Sequence, residues 1–212
     1  MLIAMRTLAL LVLPAALLCA ADKPEKGFKA LFNGKDLTNW TKAKENEGTF
    51  NVVDGVIVAK GPRCHLFYTG PNNDWKNFEL KVDVMTKPSA NGGIYFHTAY
   101  QEKGWPTKGF EVQVNNSYDR DPRRTGSLYA VADYKEKIAE DNKWFTEHII
   151  VKDKTVTILV DGKKTAEWTQ PDGWAPPKDM PGRAITSGTF ALQGHDPGSE
   201  IHYKNIRVKA LK

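Results

Sequence analysis

The sequence predicts an all-β protein, a sandwich of two antiparallel sheets of the jelly-roll kind, and three observations carry that expectation. Apolar residues recur at every second position over many short stretches, which is the period of a strand with one buried face. Turn residues punctuate those stretches at short intervals, and Asp-Gly stands twice between two apolar runs. No stretch has a long helical period; KEKIAED at 135–141 is the only helical-looking segment, and it is short. The count comes to about twelve short strands, as two packed sheets require.

The 212-residue chain opens on Arg6 and an unbroken apolar run, LALLVLPAALL, which meets CAAD. A positive start, a short apolar core and a small-residue exit describe a secretory signal. Cleavage after Ala21 satisfies the small–x–small rule through Cys19 and Ala21. The run is shorter than the roughly 20 residues of a membrane span. Acylation of Cys19 is the weaker reading, because Leu18 stands where lipoprotein sites want a small residue. The expected organisation is therefore a leader at 1–21 and one domain at 22–212, exported to the periplasm or the cell exterior.

Loss of the leader removes Arg6, its only charged residue, so the net charge falls from +5 to +4. Acids are interspersed among the bases, as in WKNFELKVD at 75–83, and no long basic run exists; nucleic acid is not an expected partner. Cys64 is then the only cysteine of the mature chain. An internal disulfide is excluded, and a buried small hydrophobe is the expected role.

The strands follow in order. FNVVDGVIVAK at 50–60 is a hairpin turning on Asp54-Gly55, since that pair accommodates the positive φ angles of a two-residue turn. NFELKVDVM at 77–85 alternates, with Phe78, Leu80, Val82 and Val84 on one face. GGIYFH at 92–97, GFEVQV at 109–114 and GSLYAV at 126–131 are further candidates. WFTEHIIVK at 144–152 leads into a second hairpin, TVTILVDGKKTAEW, turning on Asp161-Gly162. GTFALQ at 188–193 and IHYKNIRVK at 201–209 complete the set. Two segments break the rhythm: polar NNSYDRDPRRTG at 115–126, and the stretch 169–188, which has four prolines and an exposed-looking Trp174. Long loops of this kind serve as lids or binding loops, or are tolerated insertions.

Candidate chemistry sits on strand faces. In GFEVQV the apolar Phe110, Val112 and Val114 alternate with Glu111 and Gln113, so the carboxylate and the amide share the opposite face. By the same alternation Tyr95 and His97 share a face in GGIYFH, while Gln193 and then His195 close GTFALQGH. That mixture of polar, aromatic and titratable groups suits a sugar, whose hydroxyls need polar partners and whose C–H faces need rings. Trp105 and Trp174 are candidates for stacking. A strand histidine is also commonly a structural group, and a lone tryptophan commonly packing. Glu111 resists the bland alternative, because a carboxylate on a covered face needs a partner or a purpose. HExxH, CxxC, P-loop, GxGxxG and GxSxG are all absent.

GFKALFNGKDLTNW at 27–40, NFELKVDV, NGGIYFH, GFEVQV, TGSLY at 125–129, the block 144–165 and the GTFALQGH and HYKNIRVKAL ends occur in a recognisable order. In these the chain resembles the 3-keto-disaccharide hydrolase family, over almost all of its mature length. Three positions depart from the family's pattern: His97 where Arg is frequent, Asn115-Asn116 where Asp follows the EVQ strand, and Asp196 where Gly follows the late histidine. The resemblance implies a concanavalin A-like jelly roll, two curved antiparallel sheets with the site on the concave face. It also implies export and cleavage of glycosides oxidised at C3, by elimination and hydration, with a carbohydrate as substrate; a monomer is the expected state of the chain.

On that chemistry Glu111 and His97 are the candidate base or metal-binding pair, and His195 the acid or a ligand. Gln113 is a hydroxyl anchor, with Tyr95, Tyr129 and Gln193 as further substrate contacts. A divalent metal cation is a candidate electrophile at the ketone, with His97, Glu111 and His195 as its candidate ligands. The competing class is a non-catalytic carbohydrate-binding module on the same fold. Convergence of Glu111, His97 and His195 would discriminate between them.

Overall fold

The computed structural model describes residues 25–212. The expected leader at 1–21, its cleavage point and Cys19 lie outside the described residues. Within them the chain forms β1 (Lys29–Ala30), β2 (Trp40–Lys42), β3 (Phe50–Val53), β4 (Val56–Lys60), β5 (Cys64–Tyr68), β6 (Phe78–Thr86) and β7 (Gly92–Thr98). It continues with β8 (Phe110–Val114), β9 (Phe145–Lys152), β10 (Thr155–Val160), β11 (Lys163–Thr169), β12 (Thr189–Gly194) and β13 (Glu200–Ala210). The one helical element described is the 3₁₀ turn Glu47–Thr49. No helix among the described residues is long and apolar enough to cross a membrane.

Eight strands make one sheet, in the order β11-β10-β9-β6-β13-β4-β3 with β1 also on β13; the other five make the second, ordered β2-β5-β12-β7-β8. Every strand pairing is antiparallel. Both Asp-Gly pairs turn their hairpins with positive φ, 49° and 78° at Asp54-Gly55 and 46° and 79° at Asp161-Gly162, the geometry that matches strand twist. The core lies between the sheets. On β6, Phe78, Leu80, Val82 and Val84 have no exposure, and neither do Phe110, Val112 and Val114 on β8. Cys64 is also fully enclosed, and burial pushes its thiol up to about 11, which keeps it from reacting as a thiolate.

Two local expectations are corrected, and one strand is added. GSLYAV is not a strand; Leu128 makes single bridges to Val112 and Ala132, because Gly126 and Ala130 take φ of 84° and 55° and bend the chain. KEKIAED is not helical, since a helix that short gains too little to nucleate alone. Asp141 instead accepts hydrogen bonds from Thr86 Oγ1 and Ser117 Oγ, at 2.6 and 2.5 Å, and ties the segment to β6. CHLFY, which shows no alternation, is β5: all five of its residues are buried, so neither face is marked by polarity.

One inward position breaks the apolar rule. Glu147, on β9, pairs with Val82 and Val160, has no exposure, and neither carboxyl oxygen has a side-chain partner. Burial raises it well above its ordinary 4.5, so it sits in the fold as the neutral acid. From the unfolded value of 4.5 upward the unfolded chain releases this proton while the folded chain holds it, so the fold loses stability as pH rises towards the folded pKa. Glu147→Leu should remove that slope. It should also stabilise the protein at neutral pH by about 1–4 kcal/mol, read as a higher melting temperature whose margin over wild type shrinks towards pH 4.

Candidate active site

The pairing register lays the outer face of the five-stranded sheet out in transverse rows. Ala191 opposes both Phe67 and Tyr95, and Tyr95 opposes Glu111. Gln193 opposes His65, and Gly93 opposes Gln113, forming the next row along. Tyr95 OH donates to Glu111 Oε2 at 2.8 Å, and Gln193 Nε2 donates to Glu111 Oε1 at 2.8 Å and to Tyr95 OH at 3.1 Å. The carboxylate leans over Gly93, where a Cβ would stand 2.4 Å from Glu111 Oε1. Only glycine leaves that space.

Burial raises Glu111 to about 7, against the Tyr95 and Gln193 hydrogen bonds and the Arg183 charge, which lower it. The same burial, then Glu111 itself, pushes the Tyr95 phenol well above its usual range, so Tyr95 remains a donor. Gln113 Nε2 donates to Asn91 Oδ1 at 2.6 Å. The carbonyl oxygens of Gln113 and Gln193 are buried without a partner.

Loops raise walls around this floor and close a cleft of about 410 Å³, lined by Glu111, Gln113, Tyr95, Gln193, Trp105, Tyr129, Arg183 and His195 among others. Arg183 is 6% exposed. Its Nη1 donates to the Tyr129 carbonyl, its guanidinium stands 5.5 Å from the Tyr129 ring, and its Nε has no partner. Its loop reaches the floor through close backbone contact: Gly109 N donates to Gly182 O at 2.9 Å, and a Cβ on Gly182 would collide with Thr107 O at 2.1 Å.

His195 follows β12 on the rim. Its Nδ1 is 2.8 Å from Asp196 Oδ2, which fixes the proton on Nδ1 and leaves Nε2 available. Burial of Asp196 opposes its ionisation, but hydrogen bonds from His195, Ser199 and Gly198 hold it below the usual carboxylate range. Ser199 Oγ donates to Asp196 and accepts from Asn91 N at 2.9 Å. A continuous polar chain therefore links His195 to Gln113.

Two sequence-predicted residues lie elsewhere. His97 does not share the face of Tyr95. It adopts φ of 54°, and the register slips by one residue beside it, a β-bulge that turns the side chain away from the face alternation assigns it. Its ring packs 5.7 Å from Phe78 and 5.3 Å from Phe96. Its Nε2 donates to Lys76 O and its Nδ1 accepts from Thr186 N, while burial lowers it to about 4. Trp174 is not a stacking platform either: its ring packs 5.0 Å from Trp168 and its Nε1 donates to Arg183 O at 2.8 Å, so it positions Arg183. Sequence reasoning passed over two residues that the geometry brings in, Arg183 and Asp196 as a partner of His195.

The donor set does not fit a divalent cation. Among the described residues no three of His, Cys, Asp and Glu converge, and both oxygens of Glu111 already face donors. Without His97 the candidate trio does not converge, either as ligands or as the criterion that would set an enzyme apart from a binding module, whereas Arg183 brings a positive charge to the cleft.

A family model described as a 3-keto-alpha-glucoside-1,2-lyase-like domain matches residues 27–209. Curated proteins give no match. Among solved structures, a Parabacteroides distasonis protein provisionally described as a glycosyl hydrolase superposes with a TM-score of 0.74 at 24% identity, covering 88% of this chain and 94% of that one. The carbohydrate-binding module CBM66 from Bacillus subtilis gives 0.53 at 14% identity, over 87% and 96%. A family GH16 endo-beta-1,3(4)-glucanase gives 0.57 at 13%, over 87% and 91%. At these identities the likeness is one of fold.

Proposed function

The chain belongs to the family of 3-keto-alpha-glucoside-1,2-lyase-like domains, and on that premise we propose that it cleaves the glycosidic bond of glycosides oxidised at C3, by elimination followed by hydration. The observation that carries this reading is Glu111: an enclosed carboxylate, held by two donors near neutrality, in a cleft that also holds a buried arginine. A base poised at about 7 suits proton abstraction at neutral pH. An ordinary glycosidase needs a second carboxylate across an unactivated bond, whereas Glu111 is the one carboxylate of the sheet floor, Asp121 and Asp179 standing on the loop walls.

The ketone acidifies the hydrogen on C2. Glu111 takes that proton, and the C–H electron pair becomes an enolate whose charge rests on the C3 oxygen. Arg183, charged and shielded from water, offers its unpartnered Nε–H to that oxygen, an electrostatic contribution worth most where water is excluded. The enolate collapses, C1=C2 forms, and the bond from C1 to the glycosidic oxygen breaks. His195, protonated on Nε2 as well as on the Nδ1 that faces Asp196, gives the leaving oxygen its proton. Water then adds to C1 and a proton returns to C2, for a net hydrolysis; release before hydration is a lyase outcome. Gln113 and Gln193 hold hydroxyls through their free carbonyls.

Incubation with a 3-keto-glycoside and its unoxidised parent tests the proposal, following the conjugated enone by absorbance and free 3-keto-sugar by chromatography. Release from the oxidised substrate alone is expected. Binding of both without release would make the protein a sugar-binding module. Asp196 supplies a finer check. Asp196→Asn should lower turnover about ten- to a hundredfold, within the share a positioned acid contributes. It should lower kcat with little change in KM, because the imidazole loses the acceptor that orients it without leaving the cleft. A lower melting temperature with an unchanged kcat would make Asp196 purely structural.

A further inference from the structure

Once the glycosidic bond is broken Glu111 carries a proton, and its surroundings leave that proton nowhere to go but back. The carboxyl is 7% exposed. Oε2 faces the Tyr95 hydroxyl and Oε1 the Gln193 amide, each at 2.8 Å. The group lies against the Gly93 backbone, where a Cβ would stand 2.4 Å from Oε1 and 2.9 Å from the carboxyl carbon. Three sides are thus closed, and a sugar ring seated on the floor covers the fourth.

Neither neighbour can pass the proton on. An amide does not titrate. The Tyr95 phenol, held well above its usual range by burial and then by Glu111, already gives its hydrogen to Glu111 and takes one from Gln193 Nε2. Tyr95 is 4% and Gln193 2% exposed, so the layer around the carboxyl is also closed to water. His195 stands beyond β12, two strands from β8, a separation of about 10 Å. Among the described residues, Tyr95 and Gln193 are the only side chains that hydrogen-bond Glu111.

We propose that Tyr95 and Gln193 seal this proton from water, so that the hydrogen Glu111 removes from C2 in the elimination is the one it returns to C2 in the hydration. This rests on the function proposed above and gives Glu111 a part in both halves of the reaction. Water enters from the rim, where His195 stands. Its oxygen bonds to C1, the C1=C2 electron pair moves to re-form the enolate, and C2 takes the proton from the Glu111 carboxyl. The second hydrogen of the attacking water goes as a proton to His195, which is neutral after protonating the leaving oxygen. Both residues end the cycle as they began it, and no further proton carrier is needed. Glu111 reaches C2 from the floor both times, so the hydrogen returns to the face it left and the configuration at C2 is kept.

The test is cleavage of a 3-keto-glycoside in deuterium oxide, stopped early, with the C3 ketone reduced to arrest enolisation. Isotope and configuration at C2 are then read by mass spectrometry and NMR, beside preformed product carried through the same steps with enzyme. Most of the new product should hold protium at C2, in one configuration. Gln193→Ala removes the amide and leaves room for water against Oε1, so its product should shift to deuterium. Gln193→Met keeps the bulk without the hydrogen bonds and should hold protium. A residue needed only for folding would change the rate or the yield of protein without moving this ratio. Deuterium in the wild-type product beyond the control, a mixture of C2 epimers, or release of the enone unhydrated would each overturn the proposal while leaving bond cleavage intact. Protium kept by Gln193→Ala would overturn the seal, and the wild-type measurement stands without either variant. An absence of cleavage defeats the proposed function itself, and this inference with it.

Discussion

Glu111→Gln should lower turnover of a 3-keto-glycoside by about 10²–10⁴-fold, the range of a positioned general base, while the protein remains folded. The amide fits the same space above Gly93. Tyr95 OH can still donate to its carbonyl, and Gln193, whose own carbonyl is free, can reverse its amide and accept from the new NH₂. The substitution also removes a pH dependence. Wild-type activity should rise as Glu111 ionises through about 7 and level off above, whereas residual activity of the variant should lack that limb. Stability moves the other way. A carboxyl whose folded pKa is raised weakens the fold increasingly from its unfolded value of 4.5 up to about 7, so the variant should melt no lower than wild type at pH 8. A Glu111→Gln protein that kept its rate and melted lower would make Glu111 a structural partner and sink the catalytic assignment.

Val82→Asp should unfold the protein or nearly so. Val82 has no exposure and opposes Glu147 across the β6–β9 pair, so the variant would place a second carboxyl beside one already buried without side-chain partners. Enclosing an uncompensated charge costs several kcal/mol after relaxation, against a total stability of about 5–15 kcal/mol for a domain. Lys81→Asp, one residue away, changes the outer face. There it loses the Glu25 ion pair and a cation–π contact with Phe28, and an exposed pair of that kind is worth about 1 kcal/mol or less. Thermal melts of the two variants side by side check the register. Equal midpoints would mean that the inward and outward faces of β6 are misassigned.

The parts of the site legible in the sequence are those where strand alternation holds. GFEVQV places Glu111 and Gln113 on one face because its other three residues are large and apolar, and the register does the rest. The same rule fails at His97, since one inserted residue reverses every facing beyond it and a bulge leaves no mark in composition. It fails differently at His65: β5 is enclosed on both sides, so its histidine stands in a run without period. Arg183 lay within the proline-rich stretch 169–188, whose length suggested a functional loop but not which residue it delivers. Asp196 was visible as a departure beside His195, and its role emerges only from the 2.8 Å contact. Pattern reads faces; partners need coordinates.

Every residue of β7, β8 and β12 is buried, although half of their side chains point away from the core. The loops that wall the cleft are what cover them. Amide protons on these strands are thus screened from solvent on one side by the opposing sheet and on the other by the loops that wall the cleft. Exchange with deuterium there has to await global opening, whereas the edge strand β11, with four exposed side chains, exchanges by local fraying. The floor of the cleft is in this sense the slowest clock in the molecule, and a ligand that orders the walls will register in the loop amides while leaving the strands beneath unchanged.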